Sequence, residues 1–355
     1  MRLLVATDAA APQVNGVVRS LEQTAASLAT LGVETTFLTP DRFKAVPLPT
    51  YPEIRLALAR AGQVARCVSE GGFDAIHIAT EGPVGLAARR YCLSAGHAFT
   101  TSYHTRFPEY LRARAPVPLA WSYAWLRRFH NAGAATMVST ENLAGELAAR
   151  GFRHLTLWTR GVDTDLFRPQ PSILDLPRPI FLFVGRLAVE KNVAAFLSLD
   201  LPGTKVVVGD GPDRVALQSA FPDAVFTGLK TGEALAQIYA SADAFVFPSL
   251  TDTYGIVLLE ALASGLPIAA FPVAGPKDVL AGSKVGVLDV DLRAAALAAL
   301  DIPRARCRDF ALERSWDRSA REFLAHIAPL GRRVPPEPAS FHHDPHALAG
   351  ASPGR

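Results

Sequence analysis

In the segment SLTDTYGIVLLEALASGLP, residues 249–267, two carboxylates, Asp252 and Glu260, stand with seven residues between them. Tyr254 and Gly255 lie between the acids, and an apolar run from Ile256 to Leu262 is closed by Ser264-Gly265 and Pro267. Such a run predicts a helix packed on a sheet and stopped by glycine and proline. Asp252 and Thr253 then precede the helix, and Glu260 lies about two turns inside it. A helix N-terminus presents unpaired N–H groups and the positive end of the helix dipole, which attract a phosphate. Carboxylates on either side of that seat can accept hydrogen bonds from sugar hydroxyls. Anion recognition flanked by hydroxyl recognition suits a sugar joined to a nucleotide through a diphosphate. The competing reading is a buried helix whose single glutamate is salt-bridged.

Four other stretches carry residues of matching chemistry. VGRLAVEKN, residues 184–192, follows an apolar strand candidate. Gly185 permits a tight exit, after which Arg186 offers a planar fork and Lys191 a compact charge, a pair suited to a diphosphate. A surface ion pair of either with Glu190 is the plainer alternative. Near the N-terminus, PQVNGVV places Gly16 at a strand-to-helix turn, where a glycine lets backbone approach a phosphate. His104, in SYHTRFPEY, ends another strand candidate, and a strand-terminal residue of a Rossmann-like sheet faces the ligand crevice. A base would be read near Thr227-Gly228-Leu229-Lys230, after a further strand, and Lys230 is compatible with uracil or guanine.

The segment holding Asp252 and Glu260 resembles the acidic-x7-acidic signature of retaining glycosyltransferases of family 4. These have the GT-B fold, an α/β architecture of two Rossmann-like domains with parallel sheets facing across a central cleft. The resemblance implies that Glu260 binds the donor ribose and Asp252 the transferred sugar. The wider family usually has Glu at the first position, so Asp252 is a departure with a shorter reach. It also implies that Arg186 and Lys191 bind the pyrophosphate and stabilise the leaving nucleoside diphosphate. Gly16 and Gly185, with Leu229, Lys230, Thr253, Tyr254, Gly255 and Ile256, would complete the donor site. His104 would position the sugar, and no metal or other cofactor is needed. PLPTYPEIRLAL, read as a strand, is similar to a glycolipid-forming subgroup that includes bacterial mannosyltransferases and plant-type sulfoquinovosyltransferases. The implied reaction moves a hexose from a UDP- or GDP-sugar to a hydroxyl, giving an α-glycoside, with a membrane lipid such as diacylglycerol as acceptor. A soluble or polysaccharide acceptor, a sugar-nucleotide epimerase of the same fold, and a non-catalytic nucleotide-sugar binder are the alternatives.

The elements that must position these groups follow from the apolar pattern. Strand candidates at 3–7, 34–38, 75–78, 98–103 and 135–138 alternate with helical stretches ending at Gly32, Gly71, Gly96 and Gly151. Candidates at 180–184, 205–208, 244–247 and 268–271 repeat the pattern. The proline-dense run RPQPSILDLPRP separates the two sets, so the expected layout is an acceptor-side domain at 1–168 and a donor-binding domain at 169–314. A C-terminal helix over 315–332 should pack back toward the first domain, ahead of a tail at 333–355 without core pattern.

At 355 residues and 49% apolar composition the chain can build two cores. A net charge of +3 does not favour a nucleic-acid partner. Three cysteines without metal or disulfide spacing, and a first apolar run that reaches Asp8 quickly, favour a cytoplasmic protein with a core strand at its start. Asp163-Thr164-Asp165 and Asp289-Val290-Asp291 match a metal-holding D-x-D pattern, and HHDPH at 342–346 could bind a metal, but each lies outside a suitable setting. Residues 106–128 carry Arg106, Arg112, Arg114, Arg127 and Arg128 against Glu109 alone, interleaved with Phe107, Tyr110, Trp121, Tyr123 and Trp125. That is the composition of a patch for an anionic membrane surface, or of a solvated basic face over buried aromatics.

Overall fold

Apolar runs of four or five residues form the middle strands of two sheets in a computed structural model of the chain. It describes all residues except 12, 14, 49–50, 115, 251–253, 328 and 330–355, and the side chains of 48, 51–55 and 113–114 also lie outside the description. Asp252, Thr253, the HHDPH run and the side chain of Arg114 therefore fall outside the described residues.

In the first half, the strands are β1 (Arg2–Ala6), β2 (Glu34–Leu38), β3 (Ala45–Leu48), β4 (Tyr51–Ala57), β5 (Ala75–Ile78), β6 (Thr100–Ser102), β7 (Ala135–Val138) and β8 (Leu155–Leu157). The helices are α1 (Gly16–Thr30), α2 (Ala61–Gly71), α3 (Pro83–Ala95), α4 (Phe107–Arg114), α5 (Leu119–His130) and α6 (Glu141–Ala149). Six strands form one sheet in the order β2-β1-β5-β6-β7-β8, with parallel pairing throughout. The stretch PLPTYPEIRLAL, expected as one strand, is split instead between β3 and β4 of an antiparallel hairpin.

The second half contains β9 (Ile180–Val184), β10 (Thr204–Val208), β11 (Val225–Gly228), β12 (Ala244–Phe247), β13 (Ile268–Ala270) and β14 (Gly286–Leu288). Its helices are α7 (Val193–Leu197), α8 (Arg214–Ala220), α9 (Gly232–Ser241), α10 (Ile256–Ala263), α11 (Ala274–Leu280), α12 (Leu292–Ala299), α13 (Arg304–Leu312) and α14 (Trp316–His326). The second sheet, β11-β10-β9-β12-β13-β14, is again parallel. Parallel strands need crossovers, and the intervening helices supply them while covering both faces.

In each sheet the chain runs outward from a central strand and then reverses, so a topological switch point falls between β1 and β5 and again between β9 and β12. Ligands of open α/β sheets bind beyond the carboxyl ends of the strands at such points. The loops after β1, β5, β9 and β12 are therefore those the topology offers for chemistry.

Helix α14 returns to the first half. Trp158 Nε1 donates to Ser319 Oγ at 3.0 Å, Thr159 N donates to Glu322 Oε2 at 2.9 Å, and Phe323 lies against the Trp158 ring at 4.8 Å. A chain that crosses back in this way makes the first-half core dependent on its C-terminal helix.

Candidate donor site at the strand ends

The loop after β9 carries Gly185, Arg186 and, at the end of a 3-10 turn, Lys191. Gly185 is packed closely: a Cβ at Gly209 (φ +144°) would meet Gly185 O at 1.8 Å. This close approach lets the loops after β9 and β10 share one edge of the sheet. Two hydrogen bonds tie the Lys191 turn to the loop after β12. Asn192 Nδ2 donates to Pro248 O at 3.2 Å, and Ser249 Oγ donates to Glu190 O at 3.2 Å. Lys191 is thus held beside the segment that leads into α10. At the start of α10, Gly255 adopts φ +82°, a left-handed conformation suited to glycine, and among the described residues no side chain caps the helix. Among the described residues the first-turn N–H groups of α10 have no side-chain acceptor, which is the arrangement that suits an anion.

Leu229 and Lys230 follow β11, and both are exposed. Gly209 N donates to Gly228 O at 3.0 Å, so these two residues lie along the same edge as the Gly185 loop. Gly16 stands at the strand-to-helix turn, as expected. It is the first residue of α1, whose N-terminus is capped by Asn15 Oδ1 accepting from Val17 N (3.0 Å) and Val18 N (3.1 Å). A Cβ there would meet nothing within 4 Å among the described residues, so no packing among them requires the glycine.

Glu260 is the fifth residue of α10, closer to the helix start than the expected two turns, and is 3% exposed. Both its oxygens are engaged: Arg19 Nη1 lies 2.7 Å from Oε1, and Tyr239 OH donates to Oε2 at 3.0 Å. Burial pushes its carboxyl up, while the Arg19 charge and then the Tyr239 hydrogen bond oppose that rise. The internal salt bridge of the plainer reading therefore exists, and its partner comes from the other half of the chain. Each carboxylate oxygen keeps a second acceptor direction, so the contact does not preclude a diol.

His104 sits just beyond β6 at the edge of a buried polar chain. Arg160 is 5% exposed; its Nη1 donates to the carbonyls of Trp158 (2.5 Å) and Thr159 (3.2 Å), and its guanidinium stacks on the Trp158 ring at 3.9 Å. Arg160 Nη2 lies 3.3 Å from His104 Nδ1. A guanidinium only donates, so Nδ1 is the accepting nitrogen and the ring proton rests on Nε2, 2.8 Å from Ser102 Oγ. Burial first, and Arg160 second, hold this imidazole well below the usual histidine range. His104 is therefore neutral, with both nitrogens engaged, and suits positioning rather than proton transfer. Tyr254, just before α10, also faces Arg160: burial raises its phenol, and the Arg160 charge is the first opposing influence.

Arg19, Tyr239 and Arg160 were absent from the expected site. Arg19 stands in NGVVRS and Arg160 in WTRGVD, each a charge amid mostly apolar neighbours, which was the only signal available. Both D-x-D matches serve the backbone. Asp163 Oδ1 accepts from Asp165 N (3.1 Å) and Leu166 N (2.9 Å), and Asp291 caps α12. The basic stretch is narrower than its composition. Arg106 forms a two-pronged pair with Glu146 (2.8 and 3.1 Å), and the buried Tyr123 donates to Glu109 at 2.5 Å. Trp121 and Trp125 are 73% and 42% exposed and share one face of α5 with exposed Arg128. Among the described residues, no helix is long and apolar enough to cross a membrane.

The family model described as Glycosyltransferase Family 4 matches residues 14–166, and that described as Glycosyl transferases group 1 matches residues 178–301. The chain is 32% identical to a GDP-mannose-dependent alpha-mannosyltransferase of Mycobacterium tuberculosis, over 94% of this chain and 98% of that protein. It is 30% identical to the sulfoquinovosyl transferase SQD2 of Arabidopsis thaliana, over 68% of this chain and 51% of that one. In fold it is similar to a sucrose-phosphate synthase from Thermosynechococcus elongatus (TM-score 0.71, 17% identity, 91% of this chain and 97% of that one). It is also similar to Anabaena HepE in complex with UDP-glucose (TM-score 0.68, 14% identity, 92% and 99%). The duplicated parallel sheets, the two matched halves and the end-to-end relatives agree: the chain belongs to glycosyltransferase family 4 and is a GT-B enzyme of the hexosyltransferase class.

Proposed function

We propose that the enzyme transfers a hexose from a nucleotide sugar to a lipid hydroxyl with retention of configuration, and that GDP-mannose is the donor. The observation that carries the donor reading is the hydrogen-bonded union of the Lys191 turn with the loop entering α10. It brings a cationic loop beside the segment that leads to the helix N-terminus of α10, a combination suited to a diphosphate. In this reading Arg186, Lys191 and the α10 N–H groups neutralise the charge that grows on the departing diphosphate. Protein cations do the work that a metal does elsewhere. Glu260 accepts from the ribose, Asp252 from the transferred sugar, and neutral His104 holds that sugar in place. The acceptor hydroxyl attacks the anomeric carbon of the sugar on the face the diphosphate leaves, the bond from that carbon to the diphosphate breaks, and the hydroxyl proton passes to the leaving phosphate oxygen.

Relatives named as GDP-mannose-dependent mannosyltransferases, aligned over nearly the whole chain, favour guanine and mannose over uracil and glucose. The exposed Trp121–Trp125–Arg128 face of α5 supports an approach to anionic lipid, since aromatic and basic side chains together suit an interface. The test is a transfer assay with GDP-mannose, UDP-glucose and UDP-glucuronate, each with diacylglycerol in anionic vesicles. Mannosyl-lipid formed from GDP-mannose alone is the expected product. Transfer only to soluble acceptors would overturn the lipid assignment, and a changed donor without any acceptor would mean an epimerase.

A further inference from the structure

The charge on Glu260 depends on the other half of the chain. Around it α10 packs on apolar strands: β12 and β13 bring no titratable side chain. On α13, Arg304 and Arg308 donate to the carbonyls of Ser264 (3.4 Å) and Ala263 (2.9 Å), and Cys307 Sγ points to Val285 O (3.8 Å). On α9, Glu233 is exposed and Tyr239 is the neutral donor already described. Among the described residues the cation within reach is Arg19 of α1, at 2.7 Å, and it is itself seated over the Phe167 ring at 6.0 Å.

We infer that Arg19 is a positioning residue for donor ribose. From the first half of the chain it keeps the Glu260 carboxylate ionised and fixed, so the ribose seat is complete only while the two halves touch. The inference rests on Glu260 being the ribose contact. A ribose diol donates two hydrogen bonds and needs an acceptor with free lone pairs. A carboxylate with one oxygen on Arg19 and the other on Tyr239 still offers them, whereas a protonated carboxyl turns one oxygen into a competing donor. Burial drives Glu260 toward that protonated form, and Arg19 is the largest influence against it.

Calorimetry with GDP or UDP, whichever the wild-type chain binds more tightly, tests this across about pH 6 to about pH 9. Arg19→Met should weaken binding about tenfold to a hundredfold near neutrality, and the loss should shrink as pH rises and Glu260 ionises unaided. Arg19→Lys should restore most of the affinity. In a Glu260→Gln background, where no charge remains to be held, Arg19→Met should change nothing; this pair also tolerates any folding defect of a lone buried acid. A loss that is equal at every pH and adds to that of Glu260→Gln would overturn the role of Arg19 while leaving the ribose contact standing. Unchanged affinity in Glu260→Gln alone would instead remove the ribose contact, and this inference with it.

Discussion

The two sheets share a topology but differ in what they bury. Strands β9, β10 and β12 of the second sheet are nearly all aliphatic or phenylalanine, and their site residues stand on the loops beyond them. In the first sheet the central strand β6 is Thr100-Thr101-Ser102, and His77, Thr136 and His130 are fully buried beside it. These groups form chains: His130 Nδ1 with Thr101 Oγ (2.9 Å), His130 Nε2 with Glu81 (3.1 Å), and His77 between Thr100 (2.9 Å) and Ser102 (3.1 Å). The second half thus separates its core from its chemistry, while the first half runs polar contacts through the core to His104 at the strand ends. Removing a group from the second half's strand-end loops should cost turnover without stability, whereas loss of the buried Glu260 or of the polar groups of the first half should cost both together.

The sharpest break between the halves lies at the diphosphate loop. Arg186→Ala and Lys191→Ala should each lower turnover about 10²- to 10³-fold, the scale of losing one preorganised charge contact, with the melting temperature unchanged. Steady-state kinetics beside thermal unfolding checks this, and wild-type turnover in either folded variant would remove the assignment. In the first half, His130→Ala strips partners from Thr101 and Glu81. Denaturant unfolding should show a loss of about 2–3 kcal/mol, with activity falling in step.

A pH effect follows from the same polar core. Burial holds His77 down to about 3, against an ordinary value of 6.5, and His104 is likewise depressed. The unfolded chain takes up protons below about pH 6.5 that the folded chain refuses, so stability is intact above that pH and falls beneath it. His77 should cost about 2 kcal/mol near pH 5, and His104 acts in the same direction. Unfolding curves from neutrality downward measure the slope, and an acid-insensitive protein would contradict the burial. The smallest effect is at the α5 face: Arg128→Ser should weaken attachment to anionic vesicles by about 1 kcal/mol, with nucleotide affinity unchanged. Co-sedimentation at low and high salt reads it.

The same contrast explains what was legible in the sequence. Central strands announced themselves as apolar runs, and β5, β7, β9 and β12 fall where those runs predicted, as does the edge strand β2. Two strands went unread: β8 (LTL) and β14 (GVL). Both lie at sheet edges, where short, partly exposed segments carry no continuous apolar signal. The residues of the donor loops were legible because glycine, charge and turn chemistry are local. Arg19 was not, because its partner Glu260 lies 241 residues away and periodicity says nothing about such a contact. Arg160 and the buried histidines were hidden for the converse reason. A polar residue inside a sheet reads as a surface residue until its neighbours on adjacent strands are known.

A crystal structure of the chain with GDP tests the central claim most directly. The account predicts the diphosphate among Arg186, Lys191 and the N–H groups at the start of α10, with the ribose diol on Glu260. A nucleotide seated instead at the ends of β1 and β5 in the first half, leaving Arg186 and Lys191 without phosphate contact, would contradict it.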